Sequence, residues 1–159
     1  MKKQGKKVLV CIDLTIESIN LVKNKIKDWD WIGTSEVIFC HVFQPKFYSD
    51  YFLFGSYFSG SQHQQMKNII EGVLEDISEE VFFKNTSSTP HYFSTCIFAL
   101  NKKKAVANYI STHNIDEVVV GTSKSNGIVD LFSSSFGNYV IDHADCDFRI
   151  LKHGFSITP

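Results

Sequence analysis

Short runs of apolar residues alternate along the chain with longer segments in which apolar residues recur every three or four positions. The runs at 7–13, 36–43, 91–99, 117–121 and 148–151 are typical of strands buried on both faces of a sheet. The periodic segments between them predict helices. This order of elements predicts an α/β fold with an open five-stranded parallel sheet, right-handed crossovers and helices on both faces.

The periodic segments predict four helices. Thr15 is the predicted N-cap of the first, and Asn101 is the predicted N-cap of the third, which ends at His113. The second helix carries an apolar stripe made of Met66, Ile69, Ile70, Val73, Leu74 and Ile77. Its acidic residues are predicted to face away from the sheet, namely Glu71, Glu75, Asp76 and Glu79. The last helix is predicted over residues 133–144.

Length and charge narrow the class of protein. The 159 residues, of which 43% are hydrophobic, correspond to one domain over 1–159 with a basic tail at 1–6. Sixteen Lys and Arg against seventeen Asp and Glu disfavour nucleic-acid binding by a basic surface. No apolar run is long enough to span a membrane. We therefore expect a cytoplasmic protein that binds neither nucleic acid nor membrane.

The cysteines do not follow the pattern of a metal site. Cys11, Cys40, Cys96 and Cys146 are scattered singly within or beside apolar runs, which predicts buried thiols in a reducing compartment. No Ser-His-Asp set, paired carboxylates or metal cluster occurs at a useful spacing. The sequence thus predicts neither a catalytic residue nor a metal ligand.

An aromatic-rich insertion at 44–60 interrupts the alternation of strands and helices. Such a loop is longer than usual for this kind of fold. Its aromatic side chains either cover the protein's own sheet or form a surface for a partner. The sequence leaves both interpretations open for Phe47, Tyr48, Tyr51, Phe52, Phe54, Tyr57 and Phe58.

The predicted topology places a ligand crevice at the carboxyl ends of the strands, where the strand order reverses beside the first strand. Asp13 and Thr15 follow that strand, and a small polar loop follows Gly121. The loop leads to three serines at 133–135, at the predicted start of the last helix. These serines are either helix caps or donors to a phosphate group.

Three motifs resemble those of the universal stress protein family. The opening run 8–15 is similar to the family's apolar strand followed by Asp-Gly-Ser, and Cys40-His41-Val42 is similar to its second strand ending in His-Val. The tail, with Val118-Val119-Val120-Gly121 and residues 139–147, resembles the family's Val-Met-Gly and His-Ala-Pro-Cys-Pro endings. Electron-transfer flavoproteins and adenine-nucleotide hydrolases, which share this sheet, match the tail less well.

The resemblance implies the strand order 3-2-1-4-5, a homodimer formed through the last strand and a role in stress response. This sequence departs from the family at Asp145 and Asp147, which replace prolines, and at Arg149 in an otherwise apolar strand. Charge on an edge strand discourages pairing. We therefore expect a weaker or differently built dimer, with the aromatic insertion as a replacement surface.

Members of the family that bind ATP carry the motif G-x2-G-x9-G-[ST]. The spacing is kept here as Gly121, Lys124, Ser134 and Ser135, but Lys124 and Ser134 replace two glycines. A Cβ at these positions crowds a phosphate, although the Lys124 ammonium offers a compensating charge. Leu14 also replaces a family glycine. On the adenosine side, Asp13 resembles the family's acid near base and ribose, and Val42 resembles the residue whose main chain meets adenine.

These residues imply a stress-type regulatory protein with a degenerate adenine-nucleotide crevice, acting by dimerisation or partner contact. The nucleotide-binding residues, if binding is retained, are Asp13, Thr15, Val42, Gly121, Lys124, Ser134 and Ser135. The alternative is a sensor domain that binds ATP with Mg²⁺. Slow ATP hydrolysis resting on Asp13 and a metal is the enzymatic alternative.

Overall fold

The computed structural model describes residues 5–43, 60–83, 89–121 and 134–151. The strands within them are β1 (Lys6–Cys11), β2 (Thr34–Phe43), β3 (His91–Phe98), β4 (Glu117–Gly121) and β5 (Asp147–Leu151). The helices are α1 (Ile16–Ile26), α2 (Gly60–Val81), α3 (Lys102–His113) and α4 (Ser134–His143). In this described part of the chain, no helix combines the length and apolar character needed to cross a membrane.

The five strands form one sheet in the order β3-β2-β1-β4-β5, and every neighbouring pair is parallel. β1 is the central strand, because Val10 pairs with Phe39 of β2 on one side and with Val119 of β4 on the other. The predicted α/β class, strand order and parallel pairing are therefore confirmed.

The side chains of β1 alternate between two hydrophobic clusters, one on each face of the sheet. Val8 and Val10 belong to the cluster that includes residues of α1 and α2, namely Leu21, Val22, Ile26, Ile70, Leu74 and Ile77. Leu9 and Cys11 belong to the cluster that includes residues of α3 and α4, namely Val106, Ile110, Phe136 and Val140. Helices thus cover both faces, as the apolar runs predict for a sheet buried on two sides.

Helix caps form where the sequence predicts them. The Thr15 side chain accepts a hydrogen bond from the Ser18 amide at 3.2 Å, and Asn101 accepts one from the Lys104 amide at 3.1 Å. α3 ends at His113 and is capped by Asn114, whose φ of 53° lies in the left-handed region that asparagine tolerates. These caps satisfy main-chain groups at the helix ends, which lack partners inside the helix.

The apolar stripe predicted for α2 is too broad. Ile70, Leu74 and Ile77 are buried, whereas Ile69 is 64% exposed and Val73 is 38% exposed. α2 packs against β3 and β2 at one side of the sheet, so only a narrow stripe of the helix faces it. Helical periodicity alone could not define the width of the buried stripe.

The prediction that Glu71 faces away from the sheet is also wrong. Its Oε1 accepts a hydrogen bond from the Cys96 amide at 3.2 Å. β3 is an edge strand, and unpaired amides on an edge invite pairing with another chain. The Glu71 carboxylate therefore satisfies an edge amide while remaining in reach of Lys67, 3.8 Å away on the same helix.

A buried carboxylate joins the amino ends of β1, β4 and β5. Glu117 is only 4% exposed and pairs with Lys6 of β1 and with Arg149 of β5, whose Nε lies 2.8 Å from its Oε1. The Arg149 guanidinium also lies over the Trp29 ring, 4.6 Å from its centroid. Arg149 therefore has partners within its own chain, and its effect on dimer formation stays a prediction.

We expect Glu117→Gln to lower the free energy of unfolding by about 1–3 kcal/mol. Breaking a buried ion pair costs about 3–5 kcal/mol, but Lys6 and Arg149 are partly exposed and recover some hydration, so the loss is smaller. Glu36→Gln is the matched control, because Glu36 pairs more loosely with Lys7, at 3.9 Å. Its cost should stay below about 1 kcal/mol. Urea unfolding of both variants measures the difference, and equal losses would contradict the interpretation.

Candidate functional site

The carboxyl ends of β1, β2 and β4 meet at one edge of the sheet. Cys11, the last residue of β1, pairs with Cys40 of β2 and with Val120 of β4. The carboxyl ends of these three strands therefore lie side by side. This register confirms that β1 and β4 are adjacent parallel strands, as the sequence predicts. The turn after β4 lies outside the described residues, so its place beside the turn after β1 stays a prediction.

Asp13 and Thr15 lie in the connection between β1 and α1. Thr15 is exposed, and its hydroxyl oxygen is used as the N-cap of α1. Asp13 is half-buried, two residues beyond the end of β1. The structure thus gives Thr15 a structural role in the helix and leaves the Asp13 carboxylate as the acidic group of the predicted site after β1.

Val42 has a buried side chain, only 2% exposed, in the cluster beneath α3 and α4. Its main chain is the part available to a ligand at the predicted crevice. Peptide groups of alternate residues on a parallel strand face the same neighbour. The Cys40 carbonyl bonds to Ile12, so the Val42 peptide groups also face the β1 side, whereas the Phe43 carbonyl bonds to Ala99 beside β3. This arrangement suits recognition by main-chain atoms.

Gly121 is explained by helix packing. A Cβ built on it would lie 3.3 Å from Cδ2 of Leu21 and 3.7 Å from Oγ of Ser18, both on α1. The absence of a side chain therefore lets α1 approach the end of β4. The sequence motif attributes this glycine to phosphate binding, and the structure adds a packing reason that holds without any ligand.

Part of the predicted site lies outside the described residues. Lys124 belongs to residues 122–133, and the aromatic residues of the insertion belong to 44–59. α4 begins at Ser134, but the side chains of Ser134 and Ser135 are also outside the description. Their predicted roles stay predictions.

His41 emerges as a residue of the site to which the sequence assigned no role. Its Nδ1 lies 2.8 Å from the Ile12 carbonyl oxygen, which only accepts hydrogen bonds, so Nδ1 carries the proton and donates. Burial lowers the pKa of His41, and the nearby positive charge of Lys102 lowers it further. The bond to Ile12 and the carboxylate of Asp13 act in the opposite direction. The net effect favours a neutral imidazole.

Lys102 is a second residue that the sequence analysis missed. It is the first residue of α3, is only 5% exposed and acts electrostatically on His41. A lysine in the first turn opposes the helix dipole, whose positive end lies there. A lysine in this unfavourable position was the sequence signal that could have identified Lys102. It was not distinctive, because lysines also occupy positions 103 and 104.

The cysteines behave as buried thiols, as predicted. Cys11, Cys40 and Cys96 are buried, and Cys146 is half-buried. A side-chain hydrogen bond with Cys11 raises the pKa of Cys40, as does burial, and burial raises the pKa of Cys96 to about 11. Such thiols are poor nucleophiles at neutral pH. Within the described ranges, no group of three or more His, Cys, Asp or Glu could hold a metal ion.

Comparison with solved structures places this architecture among known ones. The hypothetical protein MJ0577 superposes with a TM-score of 0.66 at 14% identity, covering 97% of this chain and 100% of that one. The universal stress protein UspA from Lactobacillus plantarum gives 0.61 at 16% identity, with 94% and 99% covered. The chain has the universal stress protein fold. The resemblance found in the sequence is thereby confirmed at the level of the fold.

A third solved structure carries a ligand. The universal stress protein from Archaeoglobus fulgidus in complex with dAMP superposes with a TM-score of 0.55 at 11% identity, covering 94% of this chain and 100% of that one. No protein-family model matches the chain, and no curated protein matches it either. At these identities the comparisons establish the fold, and the ligand belongs to the Archaeoglobus protein.

We expect His41 to make the protein less stable as the pH falls below about 6.5. The ordinary pKa of histidine, about 6.5, applies to the unfolded chain, and folding lowers the pKa of His41. Below pH 6.5 the unfolded state then binds more protons than the folded state, so the stability present above that pH is progressively lost.

Urea unfolding at several pH values on both sides of 6.5 measures this loss. His41→Asn should show a shallower decline than the wild type, because the titrating imidazole is gone. His91→Gln is the control, since His91 is an exposed histidine at the start of β3, and its decline should match the wild type. An unchanged slope in His41→Asn would contradict the assignment.

Proposed function

We propose that this chain is a cytoplasmic regulatory protein of the universal stress type, whose crevice between β1 and β4 binds an adenine nucleotide. The observation that carries the proposal is the register of the central strand. Because Cys11 pairs with both Cys40 and Val120, the carboxyl ends of β1, β2 and β4 lie at one edge of the sheet. In doubly wound sheets, ligands bind at this edge, where the strand order reverses.

The adenosine side of the crevice is the better supported part of the proposal. Asp13 offers a carboxylate to a ribose hydroxyl or a base amine, and the Val42 peptide groups offer main-chain contacts to adenine. A protein with the same fold was solved with dAMP, which supports an adenine-containing ligand here.

The phosphate side is proposed to bind more weakly than a glycine-rich loop would. α4 ends just before β5, which begins at the end of the sheet where the strands have their amino termini. The first residue of α4, Ser134, therefore lies towards the opposite end, where the strands have their carboxyl termini. A helix N-terminus there favours an anion. Lys124 and Ser134 stand where the family has glycines, so we expect the adenosine part to supply more of the affinity than the phosphates, with Mg²⁺ bound only alongside ATP.

The nucleotide is proposed to act as a signal that changes the surface shown to partners. The dimer expected through β5 and the aromatic insertion at 44–60 are the proposed contact surfaces. If the nucleotide is instead a substrate, phosphate release must exceed that of an Asp13→Asn control, which is the test of the hydrolytic alternative.

We expect calorimetry to detect binding of AMP, and of ATP with Mg²⁺, to the purified protein. Asp13→Ala should weaken AMP binding at least about tenfold, since losing a hydrogen bond to a charged group costs about 1.5–3 kcal/mol and 1.4 kcal/mol corresponds to tenfold. Asp28→Ala is the matched control, because Asp28 is exposed and lies beyond the far end of α1. Its affinity should equal that of the wild type.

Flat traces with both nucleotides would overturn the nucleotide-binding proposal. They would favour a nucleotide-free protein that acts through partner contact. In that case, deletion of residues 47–58 should change the oligomeric mass measured by light scattering.

A further inference from the structure

We propose that His41 is a positioning residue that holds Asp13 in the crevice by fixing the peptide group that precedes it. The inference rests on the proposed function, because it concerns how the nucleotide-binding carboxylate is presented. It assigns a role to a buried histidine that the site described above leaves unused.

The anchoring geometry begins where β1 ends. The strand finishes at Cys11, yet Ile12 is held to β2 by two hydrogen bonds. Its amide donates to the Cys40 carbonyl at 2.8 Å, and its carbonyl accepts from Nδ1 of His41 at 2.8 Å. The first bond continues the sheet, whereas the second is supplied by a side chain beyond the last ladder pair.

The second bond acts directly on Asp13. The Ile12 carbonyl and the Asp13 amide belong to one planar peptide unit, so holding the carbonyl oxygen also orients the bond that leads to the Asp13 Cα. Asp13 has no such anchor of its own among the contacts of the described residues.

The other end of the segment is fixed independently. Thr15 caps α1, with its side-chain oxygen bonded to the Ser18 amide and its carbonyl bonded to the Ile19 amide. Asp13 and Leu14 therefore span two fixed points, the clamped peptide at Ile12 and the start of the helix. Releasing either end would let the carboxylate sample more orientations.

The burial of His41 makes the clamp persistent. The residue is 9% exposed, so solvent competes little for its Nδ1 proton. An ordered carboxylate loses its conformational entropy during folding, whereas a mobile one loses it on binding, which weakens the affinity. Loss of the clamp should therefore appear as weaker nucleotide binding.

Two substitutions separate the donor from the rest of the side chain. His41→Leu fills similar space without a donor, whereas His41→Asn places an amide nitrogen close to the position of Nδ1. We expect calorimetry to show AMP affinity about tenfold weaker in His41→Leu, as for loss of Asp13 itself, and within about threefold of the wild type in His41→Asn. His91→Gln, at the opposite edge of the sheet, should bind as the wild type does.

A double-mutant cycle tests whether His41 acts through Asp13. In the Asp13→Ala background, His41→Leu should cost little further affinity, because the group it positions is absent. Equal losses in both backgrounds, or failure of His41→Asn to restore binding, would overturn the inference and leave His41 as a packing residue.

Two measurements do not depend on nucleotide binding. ¹⁵N NMR of the wild type should show His41 protonated at Nδ1, and the opposite tautomer would overturn the inference. Amide hydrogen exchange over residues 12–15 should be faster in His41→Leu than in His41→Asn, and equal rates would also overturn it. If the wild type binds no nucleotide while both measurements agree with expectation, the proposed function fails and the clamp on the Ile12–Asp13 peptide stands.

Discussion

The hydrogen bonding of β1 to β2 on one side and to β4 on the other is the constraint on which the rest of the structure depends. It places Val8 and Val10 in one hydrophobic cluster and Leu9 and Cys11 in the other. A shift of one residue would exchange these faces, because side chains alternate along a strand. The same pairing brings the carboxyl ends of β1, β2 and β4 together, where the adenine-nucleotide crevice is proposed.

The two edges of the sheet use polar groups differently. At the end of the sheet where the strands begin, Glu117 pairs with both Lys6 and Arg149, so its negative charge is compensated by two cations of the same chain. At the carboxyl edge, Asp13 and His41 lie near the ends of the strands, with Lys102 acting electrostatically on His41. The ion pairs at the first edge are expected to contribute to stability, and recognition is proposed at the second. Substitutions at Glu117 and at Asp13 can therefore be separated experimentally.

Several residues serve the fold and the proposed site together. Gly121 lets α1 approach β4, and Thr15 caps α1, and both are residues of the proposed nucleotide site. His41 links β2 to the residue before Asp13. When a sequence motif retains such residues, it therefore indicates the fold as much as it indicates ligand binding. This explains how the fold of nucleotide-binding proteins can persist when two motif glycines are replaced by Lys124 and Ser134.

Hydrophobic periodicity determined the elements, the parallel class and the caps at Thr15 and Asn101, because these depend on neighbours close in sequence. The family resemblance supplied the strand order and the residues of the crevice. Only the tertiary structure decided the contacts of Glu71, His41 and Arg149. Each of these polar side chains meets a partner 25 or more positions away in sequence. Such pairings depend on which strands and helices become neighbours in the folded protein. The local pattern of hydrophobic and polar residues does not contain that information.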